Sequence, residues 1–250
     1  MLSSIIHDEI LELNLARPPV NAINKELAAN LAEAIKQAPA DGFRAIVLSG
    51  RPGMFSAGLD VPQLLELDRD GMTAFWGEFF QLLECVAKST VPVAAAITGH
   101  SPAGGAVISL FCDYRVMAKG NFKIGLNEVQ VGLVVPQVIQ NALVRLIGPH
   151  QAERLMVAGA LINPDQAFDL GFVDQLTDPE NTVESALDWC RRHIALPHVA
   201  MCETRKIARA DICNLFADTD QLGVEDFVSH WFHDSTQQAL QELVARLKGA

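Results

Sequence analysis

The chain has 250 residues, half of them hydrophobic and a fifth of them charged. This composition can bury a core and excludes intrinsic disorder, and the length fits one large domain or one domain with a small appendage. The 30 acidic residues outnumber the 19 basic residues and give a formal charge of −11, which argues against nucleic acid or an anionic membrane as partner. A local pocket rich in amides or cations can still bind an anionic small molecule.

The N-terminal residues 1–10 lack the features of an export signal or a transit peptide, so we expect a cytoplasmic protein. The longest stretch without a formal charge, from Ser89 to Cys112, contains two prolines and three glycines and is too interrupted for a membrane span. The five cysteines are odd in number and form no CxxC pair, which indicates reduced thiols.

In chain order, the N-terminal part of the chain alternates strands and helices. A hairpin is predicted from residues 3–7 and 10–15, and Asn24 is a suitable N-cap for a helix that ends at Gln37. Apolar residues recur at helical spacing between Met72 and Val86. Further strands are predicted at 44–49, 92–98 and 114–118, with a short helix at 104–111.

From about Val135 the sequence becomes helical. Helices are predicted at 136–147, 149–158, 164–170, 180–194, 198–216 and 224–247, with one strand at 172–176. We therefore expect an α/β body over residues 1–190 and a helical region over residues 191–250. No long linker separates the two, so the helical region should pack on its own body or on a neighbouring subunit.

Common catalytic motifs are absent from the sequence. We find no GxSxG, HExxH, P-loop or GxGxxG pattern. The seven histidines show no metal-ligand spacing, and His230 and His233 are better explained as exposed polar residues of a helix. The sequence therefore predicts no metal site.

Small residues are concentrated in the turn that follows the strand at 44–49. The run from Met54 to Asp60 (MFSAGLD) lets the backbone approach a ligand closely. Asp60 can cap the next helix, which would leave N–H groups free near Leu59 and Asp60. An ordinary tight turn between strand and helix explains the same pattern.

A second turn of small residues, Gly99–Gly105 (GHSPAGG), follows the strand at 92–98. A helix that begins there presents unpaired N–H groups and the positive end of its dipole, which suits a phosphate or a developing oxyanion. The alternative is a glycine-rich turn needed for close helix–strand packing. Two such turns after neighbouring strands can together form an oxyanion hole.

Glu128 is the only formally charged residue between Lys123 and Arg145. Desolvation in so apolar a segment raises the pKa of a carboxyl group, and a raised pKa suits a general base near neutral pH. The alternative is a glutamate at an edge, facing water or paired with Arg115 or Arg145.

Four segments resemble the crotonase (enoyl-CoA hydratase/isomerase) superfamily in order and spacing. They are FSAGLD at 55–60, GHSPAGGA at 99–106, CDYRVMA at 112–118 and IGLNEVQVGL at 124–133. The similarity covers essentially the whole chain, including its helix-rich ending. It implies a crotonase-like spiral of ββα units with a helical C-terminal region that mediates trimer formation. The protein would then be a homotrimer or a hexamer made of two trimers.

The resemblance also implies which groups bind the substrate, an acyl-CoA. The two backbone N–H groups of the family's oxyanion hole correspond to Leu59 and Gly104. Ala103 replaces the first glycine of the family's triplet, and we expect alanine there only if its φ is negative. The remaining substrate-binding positions implied in and beside the two turns are Ser56, Ala57, Gly58, Asp60 and Gly105.

The acid/base residues distinguish the reactions of this family. Its hydratases position a water with two glutamates, whose positions here are Val107 and Glu128. Segments PAGGAVISLFCDYR and IGLNEVQVGLVVP are most similar to the mitochondrial-type Δ3,Δ2-enoyl-CoA isomerases, which use one glutamate. The resemblance thus implies conversion of 3-enoyl-CoA to trans-2-enoyl-CoA in fatty-acid β-oxidation, with Val107 lining the site and Glu128 as the only base.

The acyl pocket and the coenzyme A edge are implied in the same way. Family members build the acyl tunnel where this chain has apolar residues, although such a stripe is also typical of ordinary core. These positions are Leu64, Leu65, Phe75, Trp76, Phe79 and Phe80. The cations near the expected phosphate sites are Arg17, Lys25, Arg51 and Lys248. No cofactor is expected beyond the coenzyme A of the substrate.

Two other classes remain open from the sequence. One is a different CoA-thioester enzyme, such as a hydratase, hydrolase or decarboxylase, whose second catalytic group would be Asp60, Glu66, Asp68 or His100. The other is a trimeric binding or scaffold protein without activity. The charge of −11 argues against RNA as its ligand.

Overall fold

The computed structural model describes residues 1–217 and 222–248, with side chains up to residue 246. The chain begins with an antiparallel hairpin of β1 (Leu2–His7) and β2 (Ile10–Leu15), as predicted. Helix α1 (Lys25–Gln37) follows, and the Asn24 side chain accepts a hydrogen bond from the backbone N–H of Leu27. This cap explains why the helix begins where the sequence indicates.

The body consists of three successive units, and in each unit two strands are followed by helical segments. The first contains β3 (Ala45–Ser49), β4 (Gly53–Met54), α2 (Val61–Leu64) and α3 (Arg69–Lys88). The second contains β5 (Val93–Ile97), β6 (Gly99–Pro102) and α4 (Gly104–Leu110). The third contains β7 (Tyr114–Ala118), β8 (Ile124–Gly125), a 3₁₀ helix (Glu128–Val131) and α5 (Gln137–Ile147).

The remaining elements are mostly helical. They are α6 (Pro149–Ala158), α7 (Pro164–Asp169), β9 (Gln175–Thr177), a 3₁₀ turn (Pro179–Asn181), α8 (Thr182–Ile194), α9 (His198–Ala208), α10 (Ala210–Asn214), α11 (Val224–Trp231) and α12 (Asp234–Lys248). None of the helices in the described ranges is long and apolar enough to cross a membrane.

The strands form two sheets. A six-stranded sheet has the order β1-β2-β3-β5-β7-β9 and is parallel except for the hairpin, and the three short strands β4, β6 and β8 form a second parallel sheet. All residues of β3 and β5 are buried. Successive side chains of β3 enter different apolar clusters, Ile46 and Leu48 on one face and Ala45 and Val47 on the other. Helices therefore cover both faces of the large sheet.

The C-terminal helices pack on the body of their own chain. The ring of Phe227 on α11 lies 3.9 Å, centroid to centroid, from the ring of Trp76 on α3. The Thr236 hydroxyl on α12 donates to the carbonyl oxygen of Gly132 at 2.8 Å. Helix α12 thus closes over the segment that carries Glu128. Trimer formation stays a prediction.

Three predicted elements are interrupted in the structure or differ from it by more than two residues at one end. The strand predicted at 172–176 begins later, because the N–H groups of Phe172 and Val173 both donate to the carbonyl of Ala167 and end α7. The helix predicted at 198–216 is interrupted at Arg209, whose guanidinium turns inward and donates to the carbonyl of Phe111 at 2.6 Å. The helix predicted at 224–247 is interrupted after Trp231.

Candidate active site

The first small-residue turn is held in place by the segment that precedes α1. The N–H of Ile23 donates to the carbonyl of Gly58 at 2.8 Å, and the N–H of Asp60 donates to the carbonyl of Ile23 at 2.9 Å. The N–H of Leu59, between these two bonds, donates to no described residue. The prediction of a free amide is therefore right for Leu59 and wrong for Asp60.

The side chain of Asp60 has structural partners. Its carboxylate accepts a hydrogen bond from the N–H of Gln63 and so caps α2, and it forms an ion pair with Arg17. Arg17 also donates to the carbonyl of Ala22 at 2.9 Å. These bonds occupy both carboxylate oxygens of Asp60 and two of the five N–H donors of the Arg17 side chain. A substrate contact by Asp60 stays a prediction.

The second turn presents a free amide at the start of α4. The N–H of Ala103 donates to the carbonyl of Gly125 at 2.8 Å, whereas the N–H of Gly104 has no acceptor among the described residues. Ala103 has φ +45° and ψ −120°, so the expectation of a negative φ at this alanine is wrong. Only glycine adopts such a conformation without strain, and the strain lies directly before the free amide.

The two turns are in direct contact. A Cβ atom built on Gly104 would lie 3.3 Å from the Cα of Gly58 and 3.2 Å from the Leu59 side chain. Gly58 has φ +90°, and a Cβ there would lie 3.2 Å from the Gly104 nitrogen. Any larger residue at either position would push the turns apart. Glycine at both positions therefore allows direct contact between the two turns that carry the free amides of Leu59 and Gly104.

Glu128 lies on the next segment of the same small sheet. Strand β8 pairs with β6 through Ser101 and Pro102, and Glu128 begins the 3₁₀ helix three residues after β8. The Oε2 atom of Glu128 is fully enclosed and has no hydrogen-bond partner. Burial raises the pKa of its carboxyl group from 4.5 to about 7. A carboxyl group with this pKa can take up and release a proton near neutral pH.

Neither arginine that could have neutralised Glu128 does so. Arg115 pairs with Asp174 at 2.8 Å, and Arg145 pairs with Asp211 at 2.7 Å. The pairing of Glu128 with Arg115 or Arg145 that the sequence left open is therefore absent from the structure. The 3₁₀ helix that carries Glu128 is fastened at its far side, where the Gln130 side chain donates to the carbonyl of Gly159 at 2.8 Å.

The other predicted site residues lie in the core or in the two turns. Val107 is buried on α4, and Leu64 and Phe75 are buried in the core with the neighbouring aromatic side chains of α3. Ala57 donates its N–H to the carbonyl of Val20. A Cβ on Gly105 would lie 2.9 Å from the Ser56 carbonyl oxygen, so Gly105 also permits the close packing of the two turns. Their contacts with a substrate stay predictions.

The residues that an alternative mechanism would need are exposed or have other partners. Asp68 caps α3 through the N–H of Gly71, and Glu66 is exposed. The Nδ1 atom of His100 lies 3.2 Å from the N–H of Lys123. Of the predicted phosphate ligands, Lys25 and Arg51 are exposed. The side chain of Lys248 lies outside the described residues.

A cleft of about 500 Å³ lies elsewhere, between α8 and α9, and Trp189, His193 and Met201 are among its lining residues. Its two formally charged residues, Asp113 and Arg205, bind each other through two hydrogen bonds of 2.8 Å. Neither the two small-residue turns nor Glu128 contributes to the lining of this cleft.

Comparisons with known proteins agree with the resemblance. Residues 6–248 match the model of the enoyl-CoA hydratase/isomerase family. Human mitochondrial enoyl-CoA delta isomerase 1 is 33% identical over 239 residues, which cover 94% of this chain and 79% of that protein. A Mycobacterium tuberculosis protein described as a probable enoyl-CoA hydratase is 30% identical over 194 residues, or 77% of this chain and 74% of its own.

The fold matches solved structures of the same kind. The crystal structure of human mitochondrial delta3-delta2-enoyl-CoA isomerase has a TM-score of 0.94 at 31% identity, and the match covers 99% of this chain and 98% of that one. The chain belongs to the enoyl-CoA hydratase/isomerase family and has the crotonase fold, including its C-terminal helices. The predicted family and fold class are confirmed. Because the human relative is described as mitochondrial, a cytoplasmic location stays a prediction.

Proposed function

We propose that this protein is a Δ3,Δ2-enoyl-CoA isomerase that moves one proton with one base. Glu128 carries the proposal, because the Oε2 atom of its carboxyl group is enclosed without a hydrogen-bond partner and burial raises the pKa of the group to about 7. The free amides of Leu59 and Gly104 supply the complementary donors. The similarity to the human isomerases over nearly the whole chain supports the same reaction.

In this reaction the Glu128 carboxylate removes a proton from C2 of the 3-enoyl thioester. The C–H electron pair forms the C1–C2 double bond of a dienolate, and the negative charge moves to the thioester oxygen. Donors directed at that oxygen stabilise the dienolate more than the substrate. Protonated Glu128 then returns the proton at C4, and the double bond lies between C2 and C3. Neither water nor a redox partner is consumed.

The two amides supply a substantial part of the stabilisation. A single oxyanion-hole donor contributes about 3 kcal/mol in acyl-transfer enzymes, so two donors supply at most about 6 kcal/mol. Because the close contact of Gly58 with Gly104 fixes both donors in advance, little reorganisation is needed when the charge develops.

Val107 favours isomerisation over hydration. Its side chain is 1% exposed and cannot hold or activate a water molecule. Asp60, the acidic residue of the first turn, is bound by Arg17 and by the N–H of Gln63. With one available carboxylate, the reaction that needs only a proton carrier is favoured over the reaction that also needs a positioned nucleophilic water.

A substrate panel tests the proposal. Purified wild-type protein is assayed with 3-enoyl-CoA substrates of several chain lengths and, for hydration, with crotonyl-CoA. We expect isomerisation at least about 100-fold faster than hydration, and a loss of at least about 1,000-fold in the isomerisation rate in Glu128→Gln. Faster hydration of crotonyl-CoA would establish a hydratase instead, and undiminished isomerisation by Glu128→Gln would remove Glu128 as the base.

A further inference from the structure

The segment before α1 contains a buried asparagine in an unusual conformation. Asn21 is 1% exposed and has φ +53°, in the left-handed region that asparagine adopts more readily than most residues. It lies two residues before Ile23, whose backbone holds the first small-residue turn on both sides of Leu59. Asn21 therefore lies between the start of α1 and the turn that carries the free N–H of Leu59.

Every polar group of the Asn21 side chain is used. Its Oδ1 atom accepts a hydrogen bond from the N–H of Arg17 at 3.0 Å, and its Nδ2 atom donates to the carbonyl of Phe55 at 3.0 Å. The first bond closes the loop on which Asn21 lies, and the second fastens that loop to the small-residue turn. The carboxamide is thus a bridge between two segments that are 34 residues apart.

A second chain of bonds starts from the Asn21 backbone. The Ser56 hydroxyl donates to the carbonyl of Asn21 at 2.8 Å and accepts from the N–H of Gly58 at 3.1 Å. Ser56 is fully buried, and its two hydrogen bonds connect the first small-residue turn to Asn21. This use of its hydroxyl gives Ser56 a role in the turn besides any substrate contact.

These bonds determine the direction of the Leu59 amide. The carbonyl of Gly58 and the N–H of Leu59 belong to one planar trans peptide and point in opposite directions. Since the carbonyl of Gly58 accepts from Ile23, the N–H of Leu59 must point away from the Asn21–Ile23 segment. The hydrogen bond from Asp60 to Ile23 fixes the next peptide in the same way.

We propose that Asn21 is a positioning residue of the oxyanion hole. Its left-handed turn and its carboxamide hold residues 21–23 as a rigid support that directs the Leu59 N–H at the thioester oxygen, and Ser56 completes the support. The role in turnover rests on the proposed isomerase function, but the orientation of the amide does not. A displacement of about 1 Å in such a donor can cost about 100-fold in rate.

Two variants disturb the support without touching the free amides. Asn21→Gly keeps a residue that tolerates positive φ and removes both carboxamide bonds. Ser56→Ala removes the bonds to Asn21 and Gly58. The matched control is Ser89→Ala, because Ser89 is a buried serine whose hydroxyl likewise donates to a carbonyl and accepts from an N–H two residues further on. Ser89 lies outside the two turns.

The readouts separate positioning from general stability. We expect kcat for 3-enoyl-CoA to fall about 10- to 100-fold in both variants, with KM within about threefold of wild type. A bound 2,4-dienoyl-CoA should absorb at longer wavelength than the free thioester, because donors at its oxygen polarise the conjugated system. This red shift should shrink in both variants and persist in the control, and the pH midpoint of kcat/KM should not move.

The rate and the red shift each have an outcome that would overturn the role proposed for Asn21. A kcat within about threefold of the Ser89→Ala value at equal folded fraction, or an undiminished red shift in the variants, would overturn it. If Asn21→Gly does not fold, Ser56→Ala gives the answer. If wild-type protein fails to isomerise 3-enoyl-CoA, the proposed function fails, and the red shift of the bound dienoyl thioester still tests the orientation of the amide.

Discussion

Replacing Glu128 with glutamine should make the protein inactive and, at alkaline pH, more stable. Burial raises the pKa of the Glu128 carboxyl group from 4.5 to about 7 in the native state. In the unfolded chain water solvates the carboxylate, so above pH 7 only the native state carries an unfavourable charge. A tenfold change in proton affinity is worth about 1.4 kcal/mol, which gives a penalty of up to about 3 kcal/mol.

The size of this destabilising effect depends on pH in a defined window. Below pH 4.5 the group is protonated in both states and contributes no difference in free energy. Between pH 4.5 and about 7 the unfolded chain releases its proton first, so the stability of the wild type falls as pH rises. Above about pH 7 the penalty is complete. Glutamine carries no charge and avoids it throughout.

Urea denaturation at pH 5 and pH 8 measures the effect. At pH 8 we expect Glu128→Gln to have a free energy of unfolding up to about 3 kcal/mol above wild type, and at pH 5 the pH-dependent gain should be less than about 1 kcal/mol. Glu153→Gln, at an exposed position of α6, is the control and should change little at either pH. An equal gain at both pH values, or no gain, would refute a desolvated carboxylate at position 128.

Three further predictions concern the same features. In wild-type protein, kcat/KM for 3-enoyl-CoA should rise with pH to a plateau with a midpoint of about 7, since Glu128 must be ionised to accept the proton; a flat profile between pH 5 and 9 would contradict this. Ala103→Gly should raise Tm by about 2–4 °C, because relief of about 1–3 kcal/mol of strain exceeds the added entropy of the unfolded chain; an unchanged Tm in thermal unfolding would show that Ala103 is not strained. Arg205→Ala should cost about 2 kcal/mol in urea denaturation, because it removes two charge-assisted hydrogen bonds to Asp113 although Asp113 keeps Arg209, whereas the exposed control Arg191→Ala should cost less than about 1 kcal/mol; equal losses would contradict this.

Secondary structure was predictable where the hydrophobic pattern was long or strongly bounded. Helix α1 has both an asparagine cap and an apolar stripe, and its predicted bounds agree with the structure. The second sheet could not be found in this way, because β4 and β8 have two residues each and two residues show no periodicity. The interruption at Arg209 was also hidden, since it depends on a bond to Phe111, 98 positions away in the sequence.

The site was predictable to the extent that it consists of local motifs. Small residues before a helix indicate free amides, and a lone glutamate in an apolar segment indicates a raised pKa. The sequence pattern could not show that Ala103 adopts a positive φ or that the Asp60 amide is used by Ile23. Asn21 gave no signal of its own, because its role depends on contacts with residues 55–58 that only the folded chain brings together.

Features that lower the stability of the fold also indicate the site, independently of any similarity to known proteins. Most buried charges in the described part of the chain are compensated: Asp113 binds two arginines, and Arg115 binds Asp174. Glu128 is a partly buried acid whose enclosed Oε2 atom lacks such a partner, and it follows closely on the strand beside strained Ala103. An unpaired acid, a strained alanine and unsatisfied amides each lower stability, and selection for folding alone would remove them independently. Their occurrence on neighbouring segments of one small sheet is expected if they act together on one ligand.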